Sequence, residues 1–82
     1  MTARLEFYGQ LGDVMGRERK IALPAEAYRI EDIVRRLAHE HDEFRDAMSV
    51  RMRVALNDRI VEPAALVRDG DVVAFLPPFS GG

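Results

Sequence analysis

Leu5 and Phe7 alternate with Arg4, Glu6 and Tyr8, the two-residue period of a half-buried strand. Leu11, Val14 and Met15 then recur at helical spacing, and Gly16 stands where a short helix stops. Alternation returns over Arg19–Leu23, with Ile21 and Leu23 inward and Pro24 as terminator. These two strands are predicted to form a hairpin with a long, partly helical connection. The strongest helical signal starts near Tyr28. There Ile30, Ile33, Val34 and Leu37 fall at i, i+3, i+4 and i+7, and Ala38 widens the stripe. Glu31 and Asp32 lie in its first turn and His39 in its last, as the helix dipole favours. Asp42 is expected to cap a second short turn carrying Phe44, Ala47 and Met48.

Strand signals resume with Met52, Val54 and Leu56 alternating with Arg51, Arg53 and Ala55. Asn57-Asp58 predicts a tight turn, because both residues tolerate positive φ. Ile60-Val61 is a short return strand, and Pro63 ends its pairing. Asp69-Gly70-Asp71 is a further turn. In Val72–Leu76, Val73 and Phe75 share one face and Val72, Ala74 and Leu76 the other. A strand apolar on both faces belongs at the centre of a sheet. The order β, β, helix, β, β, β predicts an α+β fold, a mixed sheet of about five strands with one main helix packed on one face. Pairing the first and last strands in parallel at the middle makes this a ubiquitin-like β-grasp. The opposite sheet face is left to water or to a partner.

Eighty-two residues are expected to make one domain spanning 1–82. A chain of this size buries about 60–65% of its unfolded surface, enough for one modest core. The net charge is −2, and the basic residues are dispersed in small groups at Arg17–Lys20, Arg35-Arg36 and Arg51–Arg53. The basic stripe with interleaved aromatics that marks nucleic-acid binding is missing. No apolar run approaches the roughly 18 residues of a membrane span, and no signal peptide is evident. The absence of cysteine removes disulfides, thiolate catalysis and iron–sulfur ligation by this chain. A small domain without such staples is expected in the cytoplasm.

Side-chain chemistry is sparse. Gly9, Gly12 and Gly16 match neither GxxxxGK[ST] nor GxGxxG, and a turn with a helix stop explains them. Gly9-Gln10-Leu11-Gly12 has the GxxG spacing of a KH domain, but Asp13 follows where cations are needed. His39 and His41 stand two apart, off a common helical face, with no further ligand nearby, so both are expected as solvated histidines and no metal site is predicted. Glu40, Asp42 and Glu43 read as a charged face near a helix end. Ser49 and Ser80 lack a nucleophile-elbow context. No active site and no bound cofactor are expected of the chain itself.

The chain closes on Pro77-Pro78-Phe79-Ser80-Gly81-Gly82. A stiff Pro-Pro segment holds the following residues away from the body. Two glycines without side chains suit a narrow pocket. Residues 77–82 are thus expected to protrude as an arm whose reactive group is the Gly82 carboxylate. By alternation Tyr8 and Leu76 point away from the helix-covered face, and Ile60 is expected on the same side. Together they predict an apolar patch near the root of the arm, the kind of surface that marks a partner site.

Phe7-Tyr8-Gly9-Gln10-Leu11, Val54-Ala55-Leu56-Asn57-Asp58, the run Asp69-Gly70-Asp71-Val72-Val73-Ala74-Phe75-Leu76-Pro77-Pro78 and the terminal Gly81-Gly82 carry a resemblance across the whole chain. The sequence resembles the MoaD/ThiS group of ubiquitin-like sulfur carriers, and within it the small subunit of molybdopterin synthase. The Pro-Pro element favours the molybdopterin carrier over the thiamine-pathway one. The resemblance implies that an ATP-dependent enzyme of the ubiquitin-activating type adenylates Gly82, and that sulfur then displaces AMP to give a thiocarboxylate. It further implies that the tail, Pro77 through Gly82, inserts into the catalytic large subunit of molybdopterin synthase within a heterotetramer. There it would donate sulfur toward the dithiolene of the molybdenum cofactor. Tyr8, Ile60 and Leu76 match that group's apolar partner-contact positions. Sulfur donation to thiamine or tRNA, conjugation as a ubiquitin-like modifier, and a β-grasp interaction module with an incidental tail are the competing expectations.

Overall fold

The computed structural model describes residues 1–49 and 51–78. Strand β1 (Thr2–Phe7) leads into a short helix α1 (Gln10–Met15), and β2 (Glu18–Ala22) returns antiparallel to β1 with Leu5 opposite Arg19. A two-residue strand β3 (Tyr28–Arg29) precedes the main helix α2 (Ile30–Glu40) and a shorter helix α3 (Asp42–Met48). Strands β4 (Arg53–Leu56) and β5 (Arg59–Ile60) form a hairpin, followed by β6 (Leu66–Val67) and β7 (Val72–Leu76). The main sheet runs β2-β1-β7-β4-β5, and β3 pairs with β6 in a separate ribbon. As predicted, β1 and β7 are parallel neighbours, with Leu5 opposite Val73 and Phe7 opposite Phe75. This mixed five-strand sheet with helices on one face is a β-grasp.

The predicted inward positions form the core. Leu5, Ile30, Ile33, Phe44, Val73 and Phe75 are its largest fully buried side chains. Phe7 and Phe75 stack with centroids 5.3 Å apart. Phe44 of α3 lies perpendicular to both in T-shaped contacts, with centroids at 6.3 Å and 5.2 Å. Edge-to-face and offset geometries favour the ring quadrupoles beyond simple area burial. Burying each such ring contributes on the order of 1.5–3 kcal/mol. Val14, in contrast, lies on the solvent side of α1 and is 52% exposed; the core side of that helix is carried by Leu11 and Met15.

Three local expectations are corrected. The helix predicted near Tyr28 starts at Ile30, because Tyr28 and Arg29 pair with Val67 and Leu66. The N–H groups of Ile30 and Glu31, unpaired within the helix, donate to Ala65 O (3.0 Å) and Pro63 O (2.9 Å). Asp32 accepts the Arg29 N–H at 2.8 Å and closes the helix start. Asp42 caps nothing: His41 is the N-cap residue of α3, and the Asp42 carboxylate instead faces Arg45 at 3.5 Å. Continuous hydrogen bonding leaves Asp42 inside the helix, since Arg45 N–H already reaches His41 O at 3.1 Å. Nor is His41 simply solvated. It is half-buried at the α2–α3 junction, where its Nε2 lies 3.1 Å from Arg19 Nη1.

Two turns set the strands beside the tail. Asn57 and Asp58 adopt φ of 50° and 70°, the paired left-handed conformation of a two-residue hairpin turn. Asn57 also ties this turn to β7: its Oδ1 accepts the Val72 N–H at 2.9 Å and its Nδ2 donates to Asp71 Oδ1 at 2.9 Å. Gly70 takes φ of 86° in the predicted Asp69–Asp71 turn.

Candidate docking face and tail root

Parity along the strands separates the two faces of the sheet. Leu5, Phe7, Val54, Val73 and Phe75 point to the helices. Glu6, Ala74, Ala55 and Ile60 follow one another across β1, β7, β4 and β5 on the open face. Tyr8 N–H donates to Phe75 O at 3.1 Å, which extends the parallel ladder and sets Tyr8 beside Leu76. Leu76 in turn pairs with Arg53.

The three patch residues therefore share the open face, with Ala74 and Ala55 between them. Tyr8 is 48% and Ile60 57% exposed, while Leu76 is half-buried. Ala55 is nearly inaccessible although it lies on this face and outside the core cluster, because its short side chain is overshadowed by taller neighbours. The result is a shallow apolar surface with raised flanks, large aromatic and aliphatic groups at either side of two alanines.

Charged groups border the surface. Glu6 accepts a hydrogen bond from the Tyr8 hydroxyl at 3.1 Å. That bond, and secondarily the negative charge of Glu6, hold the Tyr8 phenol above its usual pKa. Arg4 bridges from Glu18 (2.9 Å) toward Glu6 (4.0 Å). Arg53 occupies the opposite border beside Leu76. A depression of about 460 Å³ adjoins the same end of β1, lined by Tyr8, Gly9, Gly12, Asp13 and Arg17 among others.

Leu76 is the last residue of β7, and Pro77 and Pro78 leave the sheet exposed to solvent. The apolar patch and the root of the tail are thus adjacent. Phe79, Ser80, Gly81 and Gly82, the reactive end in the sequence-based expectation, lie outside the described residues. Gly12 and Gly16 need no ligand to explain them. A Cβ on Gly12 would lie 2.7 Å from Phe7 O, so its absence lets α1 pack on the end of β1. Gly16 ends α1 with φ of 85°. Among the described residues no group of three or more His, Asp or Glu side chains is arranged to hold a metal ion. Among them, too, no helix is long and apolar enough to cross a membrane.

Comparisons with known proteins agree with this architecture. No curated protein sequence matches the chain. A Pyrococcus furiosus protein assigned as molybdopterin converting factor subunit 1 superposes with a TM-score of 0.84 at 24% identity, covering 96% of this chain and 99% of that one. SAMP1 from Haloferax volcanii gives 0.80 at 20% identity, with both chains fully covered. A chain in the complex of subunits 1 and 2 of molybdopterin-converting factor from Helicobacter pylori gives 0.71 at 25% identity, again with full coverage of both. These likenesses carry the fold. The sequence model of the ThiS family matches residues 5–82, which takes in nearly the entire chain with the tail. The chain belongs to the ThiS family of ubiquitin-fold sulfur carriers.

Proposed function

We propose that this chain is the sulfur-carrying small subunit of a molybdopterin synthase. Its Gly82 carboxylate attacks the α-phosphorus of ATP on an adenylating enzyme of the ubiquitin-activating type, and pyrophosphate leaves. A sulfur nucleophile then displaces AMP from the acyl carbon, leaving a thiocarboxylate. A free carboxylate is a poor acyl donor, and adenylation supplies the leaving group. The carrier holds no catalytic side chain in this scheme. It contributes the acyl end and its placement, while the partners contribute electrostatic stabilisation. In the catalytic large subunit the thiocarboxylate gives its sulfur to a cyclic pyranopterin monophosphate, toward the dithiolene that binds molybdenum or tungsten.

The observation that carries this reading is the adjacency of Tyr8 and Leu76 at the point where β7 passes into Pro77-Pro78. A face that docks and an arm that reacts must share a root if docking is to deliver the arm. The Helicobacter pylori relative occurs in a complex of subunits 1 and 2, which supports a catalytic partner for this chain as well.

Intact-mass measurement of the chain isolated from cells tests the carrier chemistry. Exchange of one oxygen for sulfur at the terminus adds about 16 Da. Gly81→Val and deletion of Gly82 are expected to abolish that gain with the fold retained; a variant that still acquires it refutes the role of the terminus. Co-purification then identifies the pathway. A catalytic large subunit supports molybdopterin, whereas a thiazole synthase, a tRNA-thiolating enzyme or lysine-linked conjugates reassign the carrier.

A further inference from the structure

Gly9 stands between β1 and α1, beside Tyr8 and opposite the tail root. Its backbone has φ of 66° and ψ of −150°. That region of conformational space is open essentially to glycine alone. A side chain there meets a second obstacle. A Cβ built on Gly9 would lie 2.8 Å from Cγ of Pro77 and 3.6 Å from its Cβ. Both Gly9 and Pro77 are solvent-exposed, so the contact buries little apolar surface and is not part of the core. Its consequence is directional. Pro77 has no N–H to extend the ladder and its φ is fixed by its ring. The ring lies against the bare Cα of Gly9, so the course of the chain out of β7 is defined by where that glycine lets it rest.

The geometry points to Gly9 as a positioning residue for the reactive tail. It touches neither the acyl carbon nor any reacting atom. It acts through Pro77, setting the origin and heading from which residues beyond Pro78 reach a partner's pocket. This role rests on the sulfur-carrier reading above. A methyl group at position 9 displaces the ring of Pro77 and so shifts the root from which the tail leaves the sheet. Misplacement of a reacting group by about 1 Å costs up to roughly 100-fold in rate. Docking through Tyr8, Ile60 and Leu76 is left in place, so the defect falls on transfer rather than on affinity.

The test is a double-mutant cycle on Gly9→Ala and Pro77→Ala, with thiocarboxylated carrier and its catalytic partner. Affinity and single-turnover sulfur transfer at saturating partner are measured separately. Pro77→Ala removes the Cγ that would lie 2.8 Å away and keeps only the Cβ at an ordinary 3.6 Å. The backbone strain of Gly9→Ala is common to both backgrounds and cancels in the cycle, so coupling isolates the contact. Gly9→Ala is expected to slow transfer by roughly tenfold or more, with affinity changed by less than about twofold. In the Pro77→Ala background the same substitution is expected to cost at most about threefold. Wild-type transfer by Gly9→Ala, or equal losses in both backgrounds, overturns the positioning role. Should Gly9→Ala fail to fold, Pro77→Gly relaxes the contact from the exposed side, and unchanged transfer by that variant overturns it too. One readout is independent of sulfur chemistry. A nuclear Overhauser contact between Gly9 Hα and the Pro77 ring is expected in the free protein, and its absence overturns the geometry. Failure of the wild-type chain to form a thiocarboxylate refutes the carrier reading instead, and leaves this contact to be judged by the Overhauser measurement.

Discussion

Phe7 and Phe75 lie directly opposite one another on parallel strands, their ring centroids 5.3 Å apart and their planes within 8° of parallel. The pair sits one residue before Tyr8 and Leu76, so the same register that stacks two core rings sets these two open-face residues side by side. Phe44 packs against the pair from the helix side, perpendicular to Phe75 with ring centroids 5.2 Å apart. Truncating it should loosen the core beneath the tail root. Phe44→Ala is expected to destabilise the fold by about 3–5 kcal/mol, measured by denaturant unfolding. A loss under about 1 kcal/mol would show that the three-ring cluster is not the keystone of the core.

The open-face patch makes a separate prediction, because Tyr8 and Ile60 are exposed. Tyr8→Arg with Ile60→Glu should leave thermal stability within about 1 kcal/mol of wild type. Affinity for the catalytic partner should fall by at least about 30-fold, the loss expected for apolar anchors in an interface. Calorimetric titration reads the affinity and a thermal melt the stability. Undiminished binding with an intact fold removes the docking role of this face.

Asn57 is held in a left-handed conformation and fastens β4 to β7 through its side chain. Asn57→Ala loses both bonds and keeps the unfavourable φ of 50°. The expected cost is about 1–3 kcal/mol. Asn57→Gly relieves the backbone but not the bonds, and should recover part of that loss in the same melt. Equal stability of the two variants would assign the whole effect to the side chain.

Asp32 links stability to pH. Its carboxyl is held below the usual range chiefly by the Arg29 backbone N–H, aided by Arg35 and opposed by partial desolvation. The unfolded chain therefore binds a proton more readily than the folded one. The stabilisation is present above the unfolded carboxyl pKa of about 3.9 and is lost as pH falls through the lower folded value. Thermal melts of wild type and Asp32→Ala should differ near pH 6 and converge below about pH 3. A gap that is constant with pH would contradict the ionic cap.

The main elements were legible because their signals are local and repetitive. Ile30, Ile33 and Leu37 mark the buried stripe of α2, and Val73 and Phe75 the inward face of β7. Their spacing directly reflects helix and strand periods. Asn57-Asp58 announced its turn through conformational tolerance alone. The ribbon formed by β3 and β6 left no such trace, since two residues are too few to establish a period. The cap at His41 rather than Asp42 was hidden for another reason. A capping side chain is chosen by where the backbone turns, and the α2–α3 junction is shaped by packing of Leu37 and Phe44 in the core.

The chain's own pattern of residues determined which faces are apolar, which strand is central, and that a Pro-Pro spacer precedes a Gly-Gly end. These follow from periodicity and from the restricted backbones of proline and glycine. Only the tertiary structure decided that Tyr8, Leu76 and Ile60 share one open face across four strands, and that Gly9, read from sequence as a simple turn, meets the ring of Pro77. The residues concerned are up to 68 positions apart, as Gly9 and Pro77 are. No local propensity encodes such contacts; they arise when parallel pairing of β1 with β7 brings the two ends of the chain together.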